Sequence, residues 1–194
     1  VMSGNLATSP YPTNLEPGYG GALANRGTAF LRNVLVAGNT TEGRNSDGIW
    51  SSGASAQTVL DRCTVADNNS GVGIRYASGS IAVSNSIVWG HAYDLAGFPS
   101  SGDLLTGVWY SDIGDGQNVG QQGCQSIHPL FADASTYHLR SSAGHYTNGY
   151  FGGGSWTTAG QDSPIIDRGD PAADHANEPT PNGSRLNMGA YANT

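Results

Sequence analysis

The chain has 194 residues, long enough for one domain with a real core, and it carries 29 glycines, 12% charged residues and a net charge of −7. That negative balance, with eight basic residues that are all arginine, argues against a nucleic-acid partner and against a polybasic membrane anchor. No stretch reaches the roughly 18 apolar residues of a membrane-spanning helix, and 37% hydrophobic residues with four tryptophans are too much to leave disordered.

Residues 1–12 show no signal-peptide pattern, so an export signal is expected to have been removed or to lie outside this sequence, which opens inside continuing structure. Three segments then align: FLRNVLVAGN (30–39), VLDRCTVADN (59–68) and AVSNSIVWGH (82–91). A fourth copy, VWYSDI (108–113), follows if Tyr110 takes the place of Val36, Val65 and Val88. A shorter piece recurs ahead of three of them as Gly21-Ala22-Leu23, Gly48-Ile49-Trp50 and Gly73-Ile74-Arg75. A period of about 20 to 30 residues built from short strands signals a solenoid.

Within each copy the residues alternate in–out–in, turn a polar corner, and alternate again. The expected inward sets are Leu31, Val34 and Val36; Leu60, Cys63 and Val65; and Val83, Ser86 and Val88. Asn33, Arg62 and Asn85 hold the corners, where asparagine tolerates left-handed backbone. Extra residues between copies place loops at 40–47 and 91–103, where a solenoid usually carries function. His91 replaces Asn39 and Asn68, which predicts a stacked polar role for it. Cys63 reads as a buried free thiol, with a Cys63–Cys124 bridge as the alternative. Coils are expected over residues 1–114. Residues 115–194, richer in proline and scattered aromatics, read as a last coil and a cap over the open end of the stack, within the same domain.

The order of YSDI (110–113), HPLF (128–131), YHL (137–139), SPIIDRGDP (163–171) and NMGAY (187–191) resembles the C-terminal part of right-handed parallel β-helix repeat proteins of the pectate-lyase-like superfamily. The resemblance implies an all-β right-handed parallel β-helix and export to the cell surface or beyond. It implies no particular activity, since fold does not fix function.

An enzyme reading finds little support in the residues. A β-eliminating lyase wants a basic residue and a cation beside it. Lysine is absent, and Arg44, Arg75 and Arg140 have no aspartate cluster next to them in sequence. Asp112 and Asp115 are the nearest approach to a glycosidase carboxylate pair, but Asp with Gly at a strand end is ordinary turn chemistry. The polygalacturonase signatures that the resemblance would bring are missing, and the five histidines lack metal-ligand spacing. No catalytic residue is assigned, and no cofactor is required.

Asp167, Asp170 and Asp174 could supply hard oxygen ligands to a calcium ion from one proline-bounded loop; turn capping is the plainer alternative. Trp50, Trp89, Tyr93 and Trp109 are candidates for an outward aromatic row that contacts carbohydrate or a second subunit. The sequence therefore favours a non-catalytic extracellular structural module, adhesin-like or a fibre subunit, that self-associates head to tail. The alternative is a module that binds or degrades extracellular polysaccharide.

Overall fold

The computed structural model describes residues 1–7, 19–41, 47–68, 71–98 and 106–192. Among these no helix forms, and the chain visits three parallel sheets in the same order four times. The first sheet holds Met2–Ser3, Leu35–Ala37, Thr64–Ala66, Ile87–Trp89 and Asp112–Ile113. The second holds Leu23–Asn25, Asp47–Ser51, Val72–Tyr76 and Tyr93–Ala96; the third holds Thr28–Arg32, Gln57–Asp61, Ser80–Ser84 and Thr106–Trp109. This is a parallel β-helix.

Alternation along each strand builds the core as columns. Val36, Val65, Val88 and Ile113 pair along the first sheet, Leu31 pairs with Leu60, and Leu60 with Val83 and Val83 with Val108 along the third. All of these are buried together with Ile49, Ile74 and Leu95 of the second sheet. The corners behave as their residues demand: Asn33, Arg62 and Asn85 have φ of 53°, 54° and 51°. Their amides donate to the next coil, Asn33 to Asp61 O, Arg62 to Ser84 O and Asn85 to Trp109 O. Cys63 and Cys124 are both free and buried, and burial pushes the Cys63 thiol up to about 12, so it stays an unreactive core group.

A polar ladder runs beside these columns. Asn5 donates to Asn39 at 2.8 Å, Asn39 to Asn68 at 2.8 Å, and Asn68 meets His91 at 3.3 Å, whose Nδ1 lies 2.8 Å from Asp94 Oδ1. The stacked role expected of His91 is thus realised.

Several registers differ from the sequence reading. Tyr110 is the fourth corner, with φ 43°, and Ile113 rather than Tyr110 continues the valine column. Leu23, not Ala22, pairs with Ile49, because Gly21 lies one step out of phase with Gly48. The expected loop at 91–103 is in part the strand Tyr93–Ala96; residues 99–103 lie outside the described residues, as do 42–46 of the other loop. The stack also does not open at Gly20, since Met2–Ser3 pairs with Val36 and Ala37 ahead of it.

The largest difference concerns the C-terminal third. Residues 115–127 close the end of the stack. Gln125 bridges Asp112, Tyr110 N donates to Gln122 O, and the Asp115 carboxylate accepts the amides of Asp94 at 2.8 Å and Leu95 at 3.3 Å. The remainder folds back along the outside of the first sheet. Tyr137 and Ala190 pack on Leu35, Ala37 and Ala66, while Ile165 and Met188 pack on Ile87. Hydrogen bonds fix the seam: Ala190 N to Thr64 Oγ1 at 2.9 Å, Gly189 N to Asn85 O at 2.8 Å, and Asp170 N to Asn85 Oδ1 at 2.8 Å. This region is a flank cover more than an end cap.

Asp112 sits in that outer row, beside Ile87, and is fully buried. Its Oδ1 accepts Ile127 N–H at 2.9 Å and its Oδ2 has no hydrogen-bond partner in the protein. Burial, opposed by the Ile127 bond and reinforced by the Asp94 charge, raises its pKa to about 7 from 3.8. A carboxyl whose folded pKa exceeds its unfolded value costs nothing at low pH and destabilises progressively as pH climbs through the folded pKa. Asp112→Asn should therefore leave the melting temperature nearly unchanged at pH 4 and raise it by several degrees at pH 8, for a gain of up to about 4 kcal/mol. Thermal melts of both proteins across that range test it; a pH-independent difference would rule the carboxyl out as the cause.

Candidate functional site

The four sequence-predicted aromatics do not converge. Trp50 lies on the outer face of the second sheet, between Ala24 and Arg75, buried beneath the Tyr19 ring at 4.4 Å with the Arg26 guanidinium 5.3 Å away. Trp89 lies on the first sheet, edge-on to His128 at 5.4 Å, and Trp109 on the third, next to Ser84. Tyr93 is 62% exposed at the end of the second sheet. Successive coils contribute their tryptophans to different sheets, so no outward aromatic row forms.

The acidic candidates are also separate. Asp170 Oδ1 accepts Ala172 N at 2.8 Å and Asp174 Oδ1 accepts Ala176 N at 3.0 Å, the turn chemistry of short polar side chains. Asp167 faces elsewhere, toward Gly183. Among the described residues no three His, Cys, Asp or Glu side chains gather closely enough to hold a metal ion. Asp112 and Asp115 are occupied by Ile127 and by the end strand, as described above. Of the arginines weighed as lyase bases, Arg75 lies on the outer face of the second sheet, Arg140 lines no cavity described here, and Arg44 lies outside the described residues.

A cleft of about 450 Å³ instead opens where the C-terminal region crosses the first sheet. Its floor is Thr64 and Ile87 of the coils with Met188 and Ala190 of the cover. One wall is a short antiparallel hairpin, His145–Thr147 with Ser155–Thr157, in which Tyr146 is directly opposite Trp156. Their rings meet edge to face at 4.9 Å and 77°, a geometry aromatic pairs favour. His138 stacks on Tyr191 at 3.7 Å, and Phe151 packs on Tyr191 at 4.9 Å. Trp156, Phe151 and Tyr150 remain 47%, 40% and 43% exposed, so the aromatic edge faces solvent.

Carboxylates line other parts of the cleft. Asp162, at the rim, accepts Ser142 N–H at 2.6 Å and its hydroxyl at 2.9 Å, and these bonds hold it below the usual carboxylate range. Asp167 N donates to Asn187 Oδ1, and Asn187 N donates to Glu178 Oε1, which sets the two acids on either side of one asparagine. Asp167 Oδ1 is buried without a hydrogen-bond partner in the protein. His138 is pushed toward its neutral form by burial, against the Gly149 carbonyl bond.

Residues 18–115 match the family described as the right-handed beta helix region, and the chain belongs to that family. No curated protein and no solved structure matches it significantly. The matched span ends before residue 128, so every wall of the cleft except Thr64 and Ile87 comes from outside it. Sequence reading noted Tyr146, Tyr150, Phe151 and Trp156 only as scattered. The available signal was their grouping around Gly152-Gly153-Gly154, where glycines permit a tight hairpin and leave the rings uncovered.

Gly144 supports the Trp156 ring: a Cβ there would fall 2.1 Å from Trp156 Cζ2, and its φ of 134° already disfavours a side chain. Gly144→Ala should expel the indole, seen as a red-shifted tryptophan emission and loss of near-UV circular dichroism with far-UV signal retained. Unchanged near-UV spectra would refute this packing.

Proposed function

We propose that this protein is a carbohydrate-binding β-helix module acting outside the cell, with the glycan seated in the cleft over the first sheet. The observation that carries this reading is a solvent-facing edge of aromatic rings beside carboxylates in a concave site. Sugar rings present apolar C–H faces that stack on aromatics and hydroxyls that seek acceptors, so such sites combine a flat apolar wall with a few fixed polar groups. The coils serve as a rigid support, since the floor is set by columns of paired strands rather than by loops.

Binding fits better than cleavage. Glycoside hydrolysis wants a protonated carboxylic acid on one side of the bond and a carboxylate on the other. Asp162 is held ionised, and Glu178 Oε1 is engaged by the Asn187 amide. Head-to-tail assembly is the second reading. It is favoured by strands Leu23–Asn25 and Thr28–Arg32, each paired on one side only among the described residues, and by Phe30, 73% exposed. It ranks behind because Phe30, Tyr93 and Leu6 lie on different sheets and form no common apolar face.

Titration calorimetry against a panel of neutral and charged oligosaccharides tests the proposal. At least one should bind with a one-to-one ratio. Trp156→Ala and Tyr146→Ala should each weaken it about tenfold or more, the worth of one stacked ring, while Tyr93→Ala leaves it unchanged. Equal loss in the Tyr93 variant, or none in the other two, would place the ligand elsewhere.

A further inference from the structure

Resting on that reading of the cleft, we infer that its ligand is a glycan bearing free amino groups, an amino-sugar oligomer in its cationic form, and not a uronate polymer. Three acidic side chains, Asp162, Asp167 and Glu178, line the cleft, and no arginine does. The chain has no lysine at all, and the Arg185 guanidinium is engaged with the Gly169 carbonyl. A uronate carboxylate entering this space would meet like charges with no cation to offset them. An ammonium group would meet opposite charges and the electron-rich faces of Tyr146 and Trp156, which attract cations.

The position of Asp167 strengthens the assignment. Its buried Oδ1 lacks a hydrogen-bond donor from the protein, and a buried ionised oxygen is costly unless something donates to it. The chain passes close to this carboxylate at Gly183, where φ is 63° and any Cβ would lie 2.1 Å from both oxygens. Glycine at that point leaves the carboxylate uncovered by a side chain. An ammonium supplies three donors, enough for Asp167 and a second acceptor together. His138 adds no competing positive charge, because burial keeps it neutral.

The test is calorimetry on the whole chain with oligomers of equal length: β-1,4-linked glucosamine, its fully N-acetylated counterpart, cello-oligosaccharide and oligogalacturonate. The glucosamine oligomer should bind at least about tenfold tighter than the N-acetylated one, lose that margin in high salt, and lose it in Asp167→Asn. Asp162→Asn, at the exposed rim, should reduce the margin by less and covers the case in which the Asp167 variant does not fold. Trp156→Ala must abolish binding; if it does not, the polycation is adhering non-specifically to an acidic protein and the inference fails. Equal binding of the N-acetylated or cello-oligomer would overturn the recognition of charge while leaving the glycan site standing. Preference for oligogalacturonate would overturn it outright. If none of the four binds, the glycan reading itself falls.

Discussion

The first sheet is apolar on both faces, and most of the molecule's form follows from that. Its inward column of Val36, Val65, Val88 and Ile113 fills the core, while its outward positions carry Leu35, Ala37, Ala66 and Ile87. A parallel sheet with apolar side chains on both sides must be covered on both. The coils supply one cover by stacking; the C-terminal third supplies the other by lying along the flank. The seam is specified by polar groups as well as by burial, since Asn33 Nδ2 donates to the carbonyls of Ala190 at 3.0 Å and Ala192 at 2.7 Å. Those corner asparagines do two things at once: they bend the coil and they dock the cover.

The cleft arises where this cover does not fit flush. Met188 and Ala190 touch the sheet, the hairpin of Tyr146 and Trp156 stands off it, and the space between is walled by rings and carboxylates. Concave sites form readily at such junctions because two separately packed layers meet there without filling the gap. Its electrostatics follow from composition. A chain without lysine, whose arginine at 185 is tied to a backbone carbonyl, leaves three acids unopposed in the lining.

Much of the coil architecture was legible from the residues. The inward sets around Leu31, Leu60 and Val83 were correct because a period of two along a strand leaves one choice of face. Asn33, Arg62 and Asn85 were recognisable as corners because a turn into left-handed backbone selects few residue types. Tyr110 was misplaced because its bulk suggested a column residue, whereas the corner position depends on backbone conformation and not on size. The flank cover was missed although its signal was present: Leu35 and Ile87 hold outward positions and are apolar, which no solvent-facing strand needs. The cleft was not legible, since its walls join residues such as Ile87 and Trp156 that only the three-dimensional path brings together. The expected aromatic row failed for a related reason. Neighbouring coils place Trp50, Trp89 and Trp109 at different phases of the coil, hence on different sheets.

The central claim, that ligand is held by the cover and not by the coil faces, is tested most directly by hydrogen–deuterium exchange with and without a saturating bound oligosaccharide. The account predicts slowed exchange confined to residues 138–157 and 178–191, with the coil strands around Trp50 and Trp109 unchanged. Protection centred on residues 47–51 or 106–109 instead, with the hairpin unaffected, would contradict it.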